Sequence, residues 1–250
     1  MAKRVIVVGG GYAGAAVARA LDEAAEVRLI HARDRFVHNV AAIRAVVDPS
    51  LLDRILIPYD RLLRRGSARQ SFVVGVSSRG VTLADGEQIE GDVVVVATGS
   101  RYATPFKPQG ETTREFAENL QAAHSNLMTA NAVAIVGGGA VGVELAGEIS
   151  SAYPSKAVML VSGSPSVMPG YSDKLADALA AQLRSKEVSL RFNRRVENLA
   201  ARDRPFAGSP DEDLGGAHGQ LIFPALGARP TTAVFNKCPG QASMRRVASR

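Results

Sequence analysis

Cysteine is almost absent from this chain, with Cys238 the only one among 250 residues. A single thiol can form neither an internal disulfide nor a CxxC pair, so thiol–disulfide chemistry within one chain is excluded. Long apolar runs are also missing. None reaches the roughly 18 residues needed to cross a bilayer. The opening MAKRVIVVGG runs straight into a glycine turn, without a cleavage site or the second-position glycine of a myristoylation signal. A cytoplasmic protein is expected, membrane-peripheral at most. Metal-ligand spacing is lacking too. His31, His38, His124 and His218 are scattered, and no metal is expected. The net charge of +6 suggests an anionic partner, but residues 237–250 hold Lys237, Arg245, Arg246 and Arg250 and no acid. The rest of the chain is nearly neutral. A basic tail can hold nucleic acid, yet a solvated end explains it as well.

What the chain has is glycine in one pattern, used twice. VIVVGGGYAGAAVARAL begins at Val5 and AIVGGGAVGVELAGEI at Ala134. Gly9, Gly11 and Gly14 recur as Gly137, Gly139 and Gly142, each 128 positions later, and the same offset carries Ala97 and Gly99 to Ala225 and Gly227. Each copy reads as a buried apolar strand, a glycine turn and a helix. The first glycine permits the sharp turn, the second leaves room for a pyrophosphate, and the third lets the helix pack on the strand. The free N–H groups and positive dipole end of the helix then face the phosphates. One GxGxxG is a weak signal. Two at one spacing, each followed by a matching later strand, predict an α/β fold with two Rossmann-like dinucleotide-binding domains, the second inserted in the first. The expected boundaries are 1–106 for the first, with a partial return at 230–250, and 107–229 for the second. A hairpin-like insert is expected over QSFVVGVSSRGVTLADGEQIEGD, turning at Asp85–Gly86. Helices are expected near Ala41–Val47, within TTREFAENLQAAHSNLMTA, near Val141–Ser151 and near Asp173–Ser185. Strands are expected at VSLRF and RRVENLA, and ARDRPFAGSPDEDLGGAHGQ reads as loop.

At these residues the chain resembles the FAD-dependent pyridine nucleotide oxidoreductases, whose fold is of the glutathione-reductase type. RDRFVHNVAAIRAVVD (Arg33–Asp48), GGGAVGVELAGEI…YPSKAVMLV and FPALGARP are similar to the ferroptosis-suppressor and apoptosis-inducing-factor-like NAD(P)H:quinone oxidoreductases. Type II NADH dehydrogenases are more distant. The likeness covers residues 4–202 and resumes at 220–232. It implies FAD at the first turn and NADH or NADPH at the second, with hydride passed to the flavin and on to a quinone or another small acceptor. Carried over, Gly9, Gly10, Gly11, Tyr12, Ala13 and Gly14 would cradle the FAD pyrophosphate. Arg44 would contact FAD, the Val74 backbone would line the adenine, and Thr98 and Gly99 would close over the cofactor. His38 and Asn39 would lie near the flavin. Gly137, Gly139 and Gly142 would hold the pyridine nucleotide, with Glu144 as the catalytic candidate at the nicotinamide end. Without the resemblance, Arg44 reads equally as a surface arginine, Asn39 as a helix cap, His38 as structural, and Glu144 and Glu148 as solvated neighbours one turn apart.

Three departures follow. The ribose position that closes the second strand usually carries an acid. Here it is His31 in the first copy, with Asp34 as a substitute nearby, and Ser162 in the second. No acid at Ser162 repels a 2′-phosphate and no arginine in that loop attracts one, so NADH and NADPH both stay open. The family's later GD segment and C-terminal interface domain have no counterpart after LGARPTT, so a C-terminally truncated member is expected, its catalysis dependent on whether FAD is still held. The alternative is a non-catalytic dinucleotide-binding module, with the basic tail contacting nucleic acid.

Overall fold

The computed structural model describes residues 2–196, 199, 204–208 and 220–231. Cys238, His218, the basic stretch 237–250 and the return segment beyond 231 lie outside the described residues. The chain divides into two compact units. One comprises residues 2–36, 58–100 and 230–231, and the other 37–57 with the described part of 101–229. Residues 37–57 go with the second unit because Ile43 and Val46 share a core with Ala123, Leu127 and Ile149.

In the first unit, β1 (Arg4–Val8) leads through the first glycine turn into α1 (Tyr12–Leu21), then β2 (Glu26–His31) and β3 (Ser67–Gln70). A three-stranded antiparallel sheet follows, β4 (Val73–Ser77), β5 (Gly80–Leu83) and β6 (Gln88–Glu90), and then β7 (Val93–Val96). The main sheet has the order β3-β2-β1-β7 with every pairing parallel. That is the order of a dinucleotide-binding half. Its apolar strands sort their side chains by parity. Val5, Val7, Val27 and Leu29 pack on Ala18 of α1, while Ile6, Val8 and Ile30 pack on Val76, Val81, Leu83 and Ile89 of the antiparallel sheet. A strand covered on both faces needs this unbroken apolar run. The expected insert is therefore present, with Gly86 at φ +89° in its second turn.

The second unit repeats the plan. It contains α2 (Asn39–Ala45), α3 (Thr113–Thr129), β8 (Ala132–Val136), α4 (Ala140–Ala152), β9 (Ala157–Val161), α5 (Asp173–Ser185), β10 (Ser189–Arg191), β11 (Phe206–Gly208) and β12 (Gln220–Pro224). The sheet order is β10-β9-β8-β12-β11, parallel except for the last pair. Two expectations are corrected here. Phe206–Gly208, read as loop, is a strand whose backbone pairs with Leu221 on the sheet edge. Arg194–Val196, read as strand, is irregular because its backbone turns across the end of β9 instead of joining the sheet. The helices fall near the segments that the apolar spacing marks, whereas the exposed polar strand β3 (Ser67–Gln70) was not expected from the sequence; α5 starts with Ser172 accepting the Leu175 N–H at 3.4 Å.

One buried carboxylate ties the crossover in the first unit together. Asp22, at the end of α1 and only 4% exposed, accepts the backbone N–H groups of Arg64 at 2.6 Å, Gly66 at 2.7 Å and Arg65 at 3.2 Å. Those bonds hold its carboxyl below the usual carboxylate value, the Arg64 bond contributing most. A depressed folded-state pKa stabilises the fold above the unfolded value of about 3.9 and loses that contribution as pH falls through the folded value. Asp22→Asn is expected to lower the urea midpoint at pH 7. The gap between variant and parent should narrow as pH is taken below about 4, which equilibrium unfolding at several pH values measures.

Candidate functional site

The two glycine turns have nearly the same geometry. Gly9 has φ +110° and Gly137 φ +130°, a region side chains avoid. The Gly9 N–H donates to the Ile30 carbonyl and the Gly137 N–H to the Val161 carbonyl, both at 2.8 Å. The turn then delivers Gly11 (φ −78°, ψ −168°) and Gly139 (φ −78°, ψ −176°) as the N-caps of α1 and α4. Both caps are glycines, so neither supplies the side-chain bond that usually closes a helix start. A Cβ on Gly14 would overlap the Gly9 carbonyl oxygen, and one on Gly142 the Gly137 carbonyl oxygen. A Cβ on Gly11 or Gly139 would meet nothing within 4 Å. The third glycine is thus needed for packing and the second only keeps a space open. That open space beside uncapped amides fits a pyrophosphate. Tyr12 and Ala13 are exposed at the start of α1, Tyr12 packing edge-on against Phe36 with ring centroids 5.2 Å apart.

The strand ends differ. His31 and Ser162 both stand behind the middle glycine. A Cβ on Gly10 would lie 2.7 Å from the His31 Cβ, and one on Gly138 2.7 Å from the Ser162 Oγ. His31 is buried and stacks on Tyr59, centroids 3.9 Å apart at 27°. Its Nδ1 donates to the Arg33 carbonyl at 2.6 Å, so that nitrogen is not available to a ribose. Burial pushes the imidazole below its ordinary value, so the neutral form prevails near pH 7. The Tyr59 hydroxyl donates to the Gly10 carbonyl at 2.7 Å, and burial pushes its phenol up to about 12. Asp34 is exposed. Tyr59 was not apparent from sequence, since nothing local marks YDRLL as part of the turn. In the second unit, Ser162 is buried and its hydroxyl is engaged by its own loop, accepting the Ser164 N–H at 3.2 Å and donating to the Ser166 carbonyl at 3.4 Å.

The other candidates are placed as follows. Val74 is exposed at a β-bulge between Val73 and Gly75, with no partner in register. The Thr98 hydroxyl donates to the Thr231 carbonyl at 2.6 Å, and the Gly99 carbonyl accepts the Thr231 N–H at 2.9 Å. His38 is the N-cap of α2 and gives it no side-chain cap; Asn39 is the first helical residue. The capping reading of Asn39 is therefore corrected. Its Oδ1 is buried and accepts no hydrogen bond. Such an atom ordinarily needs a donor, which fits a polar ligand group there. The carboxyl-terminal end of α2 is held by His124 Nδ1 on the Val46 carbonyl at 2.9 Å and the Tyr153 hydroxyl on the Val47 carbonyl at 3.0 Å. Arg44 is exposed on α2, its Nε 3.9 Å from the Glu148 carboxylate on α4. Glu144 lies one turn before Glu148, and partial desolvation, with the Glu148 charge adding, pushes its carboxyl above the ordinary value. Among the described residues no group of three or more His, Cys, Asp or Glu side chains is placed to hold a metal, and no helix is long and apolar enough to cross a membrane.

Residues 64–246 match the pyridine nucleotide-disulphide oxidoreductase family. The chain belongs to that family. Among curated relatives, it is 36% identical over 203 residues to the apoptosis-inducing factor homolog B of Dictyostelium discoideum, covering 78% of this chain and 52% of that protein. It is 33% identical over 210 residues to the ferroptosis suppressor protein 1 of Homo sapiens, covering 79% and 54%. The chain therefore spans about half the length of the curated relatives it matches. A ferredoxin reductase from Rhodopseudomonas palustris superposes with a TM-score of 0.68 at 15% identity, over 94% of this chain and 61% of that one, which shows the shared fold.

The turn geometry separates packing from binding. Gly14→Ala and Gly142→Ala are expected to destabilise by about 1–3 kcal/mol or more through overpacking. Gly11→Ala and Gly139→Ala should leave the melting temperature near that of the parent. Thermal unfolding of the four variants checks this.

Proposed function

We propose that this chain is the two-nucleotide part of an FAD-dependent NAD(P)H oxidoreductase that delivers electrons to a quinone or a similar small acceptor. The observation that carries the proposal is the doubled turn, two uncapped helix N-termini each behind a Cβ-free opening at Gly11 and Gly139. A single-nucleotide protein has no use for the second. Family membership agrees with it.

In this reading residues 9–14 hold the FAD pyrophosphate through backbone N–H groups, and residues 137–142 hold that of the pyridine nucleotide. Tyr59 fixes the first turn by its bond to Gly10. The Val74 backbone, free of its register partner at the bulge, lines the adenine. Thr98 and Gly99, tied to Thr231, close the far side. His38, Asn39 and Arg44 of α2 are assigned to the flavin by the resemblance of their segment, and the buried Asn39 Oδ1, which accepts no hydrogen bond, suits a ligand donor. Glu144, whose carboxyl partial desolvation and the Glu148 charge push above the ordinary value, is the acidic group assigned to the nicotinamide end. When bound, the nicotinamide and flavin rings supply the hydride chemistry. The chain's part is to bind and orient them and to exclude water. The acceptor assignment rests on the family resemblance of the sequence and belongs to the whole protein.

The test is the visible spectrum after loading with FAD and gel filtration, followed by anaerobic addition of NADH or NADPH. A retained yellow flavin that bleaches is the expected outcome. Glu144→Ala is expected to slow bleaching about tenfold or more without releasing FAD. A protein that emerges colourless, or a flavin that neither nucleotide bleaches, would contradict the proposal.

A further inference from the structure

The end of β9 is where a dinucleotide-binding fold reads the adenosine ribose, and three observations bear on what it reads here. First, the position carries the neutral Ser162, whose hydroxyl is already committed within its own loop, and no acidic residue occurs between Ser162 and Ser172. An acid at this place binds the ribose hydroxyls and repels a 2′-phosphate. Second, the chain brings cations to this point from thirty positions further on. After β10, Asn193 takes φ +55° and turns the backbone back across the end of β9. Three bonds fix that crossing. The Ser162 N–H donates to the Arg191 carbonyl at 2.8 Å, the Arg194 N–H to the Ser162 carbonyl at 3.0 Å, and the Asn193 N–H to the Ser164 carbonyl at 3.1 Å. Third, a Cβ on Gly163 would lie 3.9 Å from the Arg195 Cα and 4.0 Å from its Cβ. Arg194 and Arg195 are both exposed, and their stems start beside the residues that follow Ser162.

We infer that Arg194 and Arg195 are specificity-determining residues that recognise the 2′-phosphate of a phosphorylated dinucleotide, so the second turn takes NADPH in preference to NADH. The inference rests on the proposed function, because it assigns a preference to the nucleotide site described there. Arginine suits the task. Its guanidinium is charged at every relevant pH and offers a planar fork of donors to phosphate oxygens. No ionisation of the protein is required. Because the recognition elements lie on β10's exit loop and not in the loop after β9, the preference is invisible to a search of the fingerprint loop alone. The first unit offers a contrast, since the strand-end position behind its turn is filled by His31 stacked on Tyr59.

The experiment is titration calorimetry of the full chain with NADP⁺ and NAD⁺, and with adenosine 2′,5′-bisphosphate against AMP, at two salt concentrations. Tighter binding of each 2′-phosphorylated member, on the order of tenfold or more, is expected, with the difference shrinking at high salt. In the Arg194→Ala/Arg195→Ala double variant the ratio should fall to about one. The fragment pair keeps the test informative if that variant does not fold. Equal affinities in the parent chain would overturn the inference while leaving the proposed function standing, as would a double variant that folds and keeps the preference. Failure to bind any of the four ligands would overturn the proposed function and this inference with it.

Discussion

Each half of the chain depends on one close approach, the seating of a helix against the strand before it so tightly that no Cβ fits between them. Gly14 lies against the carbonyl oxygen of Gly9 and Gly142 against that of Gly137. For the helix to come this close, the turn must fold back at once. That demands the positive φ of Gly9 and Gly137 and their hydrogen bonds to the second strand. The consequence is a helix start whose cap residue is a glycine and supplies no side-chain bond of its own. In the proposed reading packing and binding come from the same three glycines, and the pattern in sequence is the pattern of the packing constraint.

The halves diverge where the constraint ends. Behind the middle glycine the first unit places the buried His31 on the half-buried Tyr59, whose hydroxyl also bonds the turn through Gly10. The second places a small serine whose hydroxyl looks inward. These choices do not affect the strand–turn–helix geometry, which stays nearly the same in both. They change what the adenosine end of a ligand meets. A shared frame with different strand ends is how, in the proposed reading, one plan serves two nucleotides.

The two-sided burial of the first strands, the repeated strand–turn–helix and the packing role of the glycines were legible in sequence because they are local or periodic. Val5–Val8 and Val133–Val136 announce two-sided burial by having no polar residue at all. What was not legible depends on long-range geometry. Phe206–Gly208 has too little length and too many nearby glycines and prolines to read as a strand, and it is one only because the edge of β12 offers a partner. Asn39 looked like a cap from its residue type, yet the helix starts one residue earlier and leaves its oxygen orphaned. Tyr59 lies 28 positions from His31 and Arg195 lies 33 from Ser162, so neither neighbourhood can be read from the fingerprint loops. The grouping of residues 37–57 with the second unit follows from the apolar face of α2, whose partners lie beyond residue 100.

The central claim is that the repeated turn makes two independent dinucleotide sites in one chain. The most direct measurement is the binding stoichiometry of FAD and NADP⁺ together, by equilibrium dialysis, for the parent chain and for Gly11→Val and Gly139→Val. The account predicts one of each per chain without competition, FAD lost only in Gly11→Val and NADP⁺ lost only in Gly139→Val. A single site for which the two compete, or loss of both ligands in either folded variant, would contradict it.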